Sequence, residues 1–242
     1  MKIIKSCLFL FGMFAAFSAS VSADLISEFQ SNPSGADPAN QDVELSGDAG
    51  AAFDLWILTL ESDGFNGTVD RATNVTGTYD SAGLAVVSVA DLENPSFTMV
   101  LVDGFTGAVG DDLDTDDDGV LDVTPWGTVM DALGVPDNAA DAATQYGASL
   151  GGTDFSFTGA EPELLFREAT TGDWVAVNFL TDDPLVITGA DGTVFDQADF
   201  DALPNATTFG ATNYSFVNVV PEPGSIAVLG LFSLVCVTRR RR

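Results

Sequence analysis

The sequence predicts an all-β protein of the sandwich class, and three observations carry that prediction. Short apolar runs are broken by Gly, Asn, Asp and Pro at spacings of roughly 8 to 15 residues, the rhythm of strands and turns. No stretch of the first half sustains a helical period between caps. From Ala52 to Leu60 the apolar residues occupy both phases, Phe53, Leu55 and Ile57 on one side and Trp56, Leu58 and Leu60 on the other. A strand apolar on both faces belongs in the middle of a sandwich or barrel.

The elements follow in order. Leu25-Ile26-Ser27-Glu28-Phe29 is a short strand, closed by the turn formers Asn32-Pro33-Ser34-Gly35. Val43-Glu44-Leu45 is a second strand, ended by Gly47 and Asp48, and Ala52 to Leu60 is the third. Turn chemistry at Asp63-Gly64 and Asn66-Gly67 leads into Val69 to Thr78, rich in threonine and valine. Leu84 to Val89 and Phe97 to Val102 are further strands, separated by Asn94-Pro95. Val129 to Leu133 is spaced for one or two helical turns, and Asp196 to Leu203 for another short helix capped by Asp196. Phe155 and Phe157 alternate, Glu163 to Arg167 and Trp174 to Phe179 form a hairpin across Thr171-Gly172, and Leu185 to Ile187 follows.

Some of these segments resemble the lamin-tail domain, an immunoglobulin-like β-sandwich found in many secreted bacterial proteins. The resemblance rests on Ile26-Ser27-Glu28-Phe29 with Asn32-Pro33-Ser34-Gly35, on Val43-Glu44-Leu45, on the strand around Trp56 and on Met99-Val100-Leu101-Val102, and it extends to about Tyr146. It implies a binding or scaffolding module, because that family is not catalytic by itself.

Both ends carry targeting chemistry. Lys2 and Lys5 form a positive region, Cys7 to Phe17 an apolar one, and Val21-Ser22-Ala23 a small-residue cleavage site. Residues 1–23 are therefore expected to be a signal peptide cut after Ala23, with Asp24 as the first mature residue. At the other end Pro221-Glu222-Pro223 precedes an apolar run, Ser225 to Thr238, and then Arg239 to Arg242. The prolines lack backbone donors, so a helix can begin only after them. A helix over residues 224–238 would reach roughly 22 Å at about 1.5 Å per residue, short of the about 30 Å of a bilayer core. Transient insertion in the inner membrane suits it better than permanent anchoring, with the arginines on the cytoplasmic side. The order of motif, apolar run and basic block in residues 220–242 resembles the PEP-CTERM sorting signal of Gram-negative bacteria. That resemblance implies an exosortase as processing partner, cleavage near the motif, and delivery to the cell surface or its exopolysaccharide; a plain tail anchor leaves the Pro-Glu-Pro unexplained.

Charge and composition bound the exported part, residues 24–219. Between the signal and the terminal arginines, 36 acids face only Arg71 and Arg167, a net charge of −34. Such a surface repels nucleic acid and anionic lipid, and favours salt or divalent cations. With 46 % hydrophobic residues and 18 phenylalanines the chain can still build a core. Cys7 and Cys236 both lie in the targeting segments, so neither disulfides nor thiolate metal sites are expected between them.

The richest chemistry is the acidic loop 111–122. Asp114, Asp116, Asp118, Gly119, Val120 and Asp122 follow the opening of a calcium loop, in which alternate residues converge, the glycine makes the sharp turn, and Val120 offers its carbonyl. Hard oxygen donors of this kind select Ca2+ over soft metals. The twelfth position is Pro125, so the bidentate glutamate of a complete EF-hand is missing and a sealing ligand must come from Asp112 or from elsewhere. A solvated acidic loop is the competing reading. A second stretch, Ala190 to Asp201, has carboxylates too sparse for a dockerin repeat and reads as a turn and short helix.

Catalysis has little to work with. The chain has no histidine and no lysine between Asp24 and the terminus, which removes histidine-based triads, histidine-held zinc and Schiff bases. The expectation is an exported, non-catalytic surface or matrix protein. Its competitors are a polysaccharide-acting enzyme using a carboxylate pair and a carbohydrate-binding module, although Trp56, Trp126 and Trp174 sit at positions that suit a core better than a sugar platform.

Overall fold

The computed structural model describes residues 24–31, 33, 38–92, 96–141, 144–159, 161–178 and 184–217. The expected signal peptide with Ala23, the motif Pro221-Glu222-Pro223 and the apolar run 224–238 lie outside the described residues. Among those described, no helix is long and apolar enough to cross a membrane.

Among the described residues twelve strands run in the order β1 Leu25–Phe29, β2 Asn40–Ser46, β3 Ala52–Glu61, β4 Val69–Thr78, β5 Leu84–Ala90, β6 Phe97–Val102, β7 Val129–Val135, β8 Thr153–Asp154, β9 Leu164–Arg167, β10 Trp174–Asn178, β11 Val186–Gly189 and β12 Val194–Phe195. They form two sheets, a seven-stranded one ordered β12-β11-β10-β9-β1-β2-β5 and a five-stranded one ordered β4-β3-β6-β7-β8. All pairings are antiparallel except β7 with β8. This is an all-β, sandwich-like architecture.

The apolar layer between the sheets draws Ile26, Phe29, Val43 and Leu45 from the first and Leu55, Ile57, Phe97, Met99, Leu101 and Leu133 from the second. Fully burying one such side chain contributes about 1.5 to 3 kcal/mol. The two-phase pattern of β3 has its explanation here. Leu55 and Ile57 enter the inter-sheet layer, whereas Leu58 and Leu60 enter a second cluster with Val100, Val102, Phe105, Leu113 and Tyr146. The loop between β6 and β7 thus covers the outer face of the five-stranded sheet. A third cluster, Leu164, Phe166, Val175, Val177 and Ile187 with Phe200, Tyr214 and Phe216, places the 195–216 stretch over the outer face of the seven-stranded sheet.

Val129 to Leu133 is not helical, contrary to the expectation from its spacing; it is part of β7. One or two turns cannot nucleate alone in water, and β6 offers a complete antiparallel partner, with Phe97 opposite Val135 and Leu101 opposite Asp131. Around Phe155 and Phe157 only Thr153–Asp154 forms a strand; Phe155 is buried beyond its end. The hairpin expected over Glu163 to Phe179 is present as β9 and β10, with Trp174 opposite Arg167, while Phe179 lies outside the described residues. The Asp196 region is a single 3-10 turn, Gln197–Asp199, closed by a reciprocal capping box between Asp196 and Asp199. Trp174 is buried between the sheets with the Arg167 guanidinium 4.6 Å from its ring centre, and Trp56 packs on Phe105.

An ionic contact between Asp131 and Arg167 ties the sheets together. Asp131 on β7 accepts from the Ile26 N–H at 3.0 Å and pairs with Arg167 at 2.8 Å, while the Arg167 Nε donates to the Ile26 carbonyl at 2.9 Å. Burial pushes the Asp131 carboxyl up and Arg167 opposes that push.

Candidate metal centre

The acidic loop is fixed by its apolar neighbours before any acid is considered. Leu113, immediately before Asp114, is buried, and Leu121, immediately before Asp122, packs on the same cluster. The Leu113 carbonyl accepts from both Asp122 N–H at 2.7 Å and Val123 N–H at 3.2 Å, closing the loop at its base. Leu113 in turn donates to the Gly67 carbonyl at 3.2 Å, and Asp112 bridges to Thr68, so the turn after β3 forms one wall. Gly67 sits at φ +76° with the Asp114 Cβ only 2.7 Å from where its own Cβ would stand. The loop therefore needs a glycine there for both reasons.

Asp114 is fully buried. Its Oδ1 accepts from the Asp118 N–H at 3.2 Å, and its Oδ2 from the Gly119 N–H at 2.9 Å and the Tyr146 hydroxyl at 2.7 Å. Asp117 at φ 53° and Gly119 at φ 84° bend the chain so that these amides face back toward the carboxylate. The remaining acids stand at the surface. Asp122 accepts from the Thr115 N–H at 3.0 Å and from the Thr115 hydroxyl, and Asp112 accepts from the Asp114 N–H at 3.1 Å.

Asp114, Asp116 and Asp122 each offer a carboxylate oxygen, and the three oxygens lie within 4.8 Å of one another. They could hold a metal ion. Repulsion from Asp118, then partial desolvation, then Asp122 and Asp114 hold the Asp116 carboxyl above its ordinary range. A cation would relieve that repulsion.

Asp118, the fourth expected carboxylate, stands outside the trio and accepts from the Val120 N–H at 2.9 Å. The Val120 side chain is exposed. Pro125 faces another partner, its carbonyl taking the Thr106 N–H at 2.8 Å. Tyr146 and Thr115 carry weight that loop spacing does not reveal. Tyr146 lies 32 residues away in sequence, and burial together with the Asp114 carboxylate holds its hydroxyl well above the usual phenol range. Comparison of the chain with protein-family models, with curated proteins and with solved structures found no match.

Proposed function

We propose that this chain is an exported, non-catalytic surface protein whose immunoglobulin-like, lamin-tail-like sandwich binds calcium at the 111–122 loop. The observation that supports it is the trio Asp114, Asp116 and Asp122, three oxygens within 4.8 Å around a turn whose inner carboxylate is already bonded to its own backbone. Carboxylates and a backbone carbonyl suit a hard cation, and a site lacking the twelfth-position glutamate suits the millimolar calcium outside cells. Metal binding here stabilises a surface module and leaves chemistry to others. In the same reading the PEP-CTERM-like segment inserts transiently in the inner membrane, an exosortase cleaves near Pro221-Glu222-Pro223, and the domain reaches the cell surface or the exopolysaccharide matrix.

Two measurements test the two halves. Calorimetric titration of the exported chain should give one saturable calcium site that disappears in Asp116→Asn/Asp122→Asn; binding unchanged in that variant would locate the ion elsewhere. Replacing Pro221, Glu222 and Pro223 with alanine should leave the unprocessed chain in the inner membrane, and normal release of the variant would remove the sorting half. Turnover of a polysaccharide by the exported chain would overturn the non-catalytic assignment.

A further inference from the structure

Glu28 on β1 and Glu44 on β2 are cross-strand partners, and both are fully buried. Like charges directly opposite on paired strands repel across about 4.5 to 5.5 Å between Cβ atoms. The stretch that covers them is bonded to both. The Thr208 N–H lies 2.9 Å from each Glu28 oxygen, and the Gly210 N–H donates to Glu44 Oε2 at 2.6 Å. Asn213 adds a third attachment, its Nδ2 donating to the Ser27 carbonyl and to the Arg167 carbonyl at 3.2 and 3.0 Å.

Those two carbonyls fix the Asn213 amide, so its Oδ1 is an acceptor, and it lies 2.9 Å from Thr208 Oγ1. The same Oγ1 lies 2.9 Å from Glu28 Oε2. A threonine hydroxyl has a single proton, and an ionised carboxylate has none to give. With Glu28 ionised, one of these two contacts lacks a hydrogen. With Glu28 protonated the relay is complete, Glu28 Oε2–H to Thr208 Oγ1–H to Asn213 Oδ1. Burial raises the Glu44 carboxyl as well, against the Gly210 N–H and the Ser27 hydroxyl, so two charges side by side would be costly.

The geometry points to a proton-held latch, in which protonated Glu28 beside Glu44 secures the 208–213 segment against the outer face of the seven-stranded sheet and its ionisation releases that segment. The charged neighbours fit the assignment. Glu44 faces Glu28 from β2 and Asp80 adds repulsion to Glu44; from the cover, Tyr214 faces Glu28. Arg167, on the adjoining β9, is bonded to Asp131, the Ile26 carbonyl and the Gly172 carbonyl. Burial first, with Glu44 assisting against the Thr208 bonds, raises Glu28 from 4.5 to about 7. Because the closed state holds the proton more tightly than the open one, the latch is strongest below the ordinary glutamate range and weakens as pH rises to about 7.

The test is amide hydrogen exchange of residues 205–213 in the full chain between about pH 5 and pH 8, corrected for intrinsic rates. Protection at Thr208 and Gly210 should fall by up to about tenfold per pH unit and level off above about pH 7. Glu28→Gln, which stays neutral and can donate to Thr208 Oγ1, should keep the protection and lose its pH dependence. Flat protection in the wild type, or an unchanged slope in Glu28→Gln, overturns the latch. Carboxyl carbon NMR of the unaltered chain decides the matter if the variant does not fold: a glutamate midpoint near pH 7 supports it, and no glutamate midpoint above the ordinary range refutes it. Should millimolar calcium restore protection at pH 8 in an Asp116→Asn/Asp122→Asn background, a cation holds the pair and the proton assignment fails.

Discussion

Replacing Asp116 and Asp122 with asparagine separates a built calcium site from a diffuse acidic surface. Both side chains are exposed, and neither is buried as Asp114 is. Without calcium the change should therefore cost little, and relief of the repulsion on Asp116 even favours the variant. With calcium the difference appears. For an extracellular-type site with a dissociation constant on the order of 10⁻⁴ to 10⁻³ M, about 10 mM calcium is 10 to 100 times that constant and stabilises the folded state by about 1.4 to 2.7 kcal/mol. For a domain of this size that is a rise in melting temperature of about 3 to 10 °C. The assay is thermal unfolding at neutral pH in calcium chloride, against sodium chloride of equal ionic strength. The wild type should gain several degrees over the sodium control and the double variant should gain almost nothing. If the variant keeps the full calcium response, the ion acts on the net charge of the surface and the assignment to this loop is refuted.

Three other substitutions probe what holds the loop and the sheets. Tyr146→Phe removes a buried, charge-assisted bond to Asp114, so urea unfolding should report a loss of about 1 to 3 kcal/mol and calcium titration an affinity weaker by about tenfold. Gly67→Ala forces a Cβ against Asp114 at a positive φ; a loss on the order of 1 to 3 kcal/mol is expected, with the backbone resonances of 112–119 shifted. Asp131→Ala leaves Arg167 and the Ile26 N–H without their shared acceptor between the sheets, and should destabilise by about 3 to 5 kcal/mol in the same unfolding assay.

The parts of this fold that were legible in sequence are those in which local pattern and final environment agree. Phe97 to Val102 is β6 as its bounds suggest, and the two-phase β3 does carry apolar residues into clusters on both faces of its sheet. Val129 to Leu133 was illegible because its spacing suits a helical turn, while the deciding partner, β6, lies across a long loop. Asn40 to Asp42 extends β2 although polar, since the pairing of Asn40 with Ala90 and Asp42 with Ser88 depends on β5 and on no local apolar pattern. At the candidate site the same division holds. The alternating aspartates and Gly119 are visible in the sequence, but Tyr146 and the close approach of Gly67 are consequences of packing, and the placing of Asp118 beside the Val120 amide depends on how the turn closes.

Glu28 and Glu44 mark a deeper limit. In sequence they are the polar residues of short strands, with Glu44 alternating between apolar Val43 and Leu45, a pattern that assigns it to a solvated face. The structure buries both because the 208–213 stretch lies over that face and supplies backbone donors. A sheet face can be polar in sequence and dry in the fold when a distant segment covers it, and then the acids on it become costly unless something offsets their charge. Asp114 meets that cost with two backbone amides and a phenol, beside two acids that could share an ion with it; Glu28 meets it with the Thr208 N–H and, in the proposed latch, a proton. On the two proposals made above, each outer face of the molecule is closed by a cover whose attachment depends on an ionisable group, so that pH and divalent cations become part of what holds the layers of a chain carrying 36 acids together.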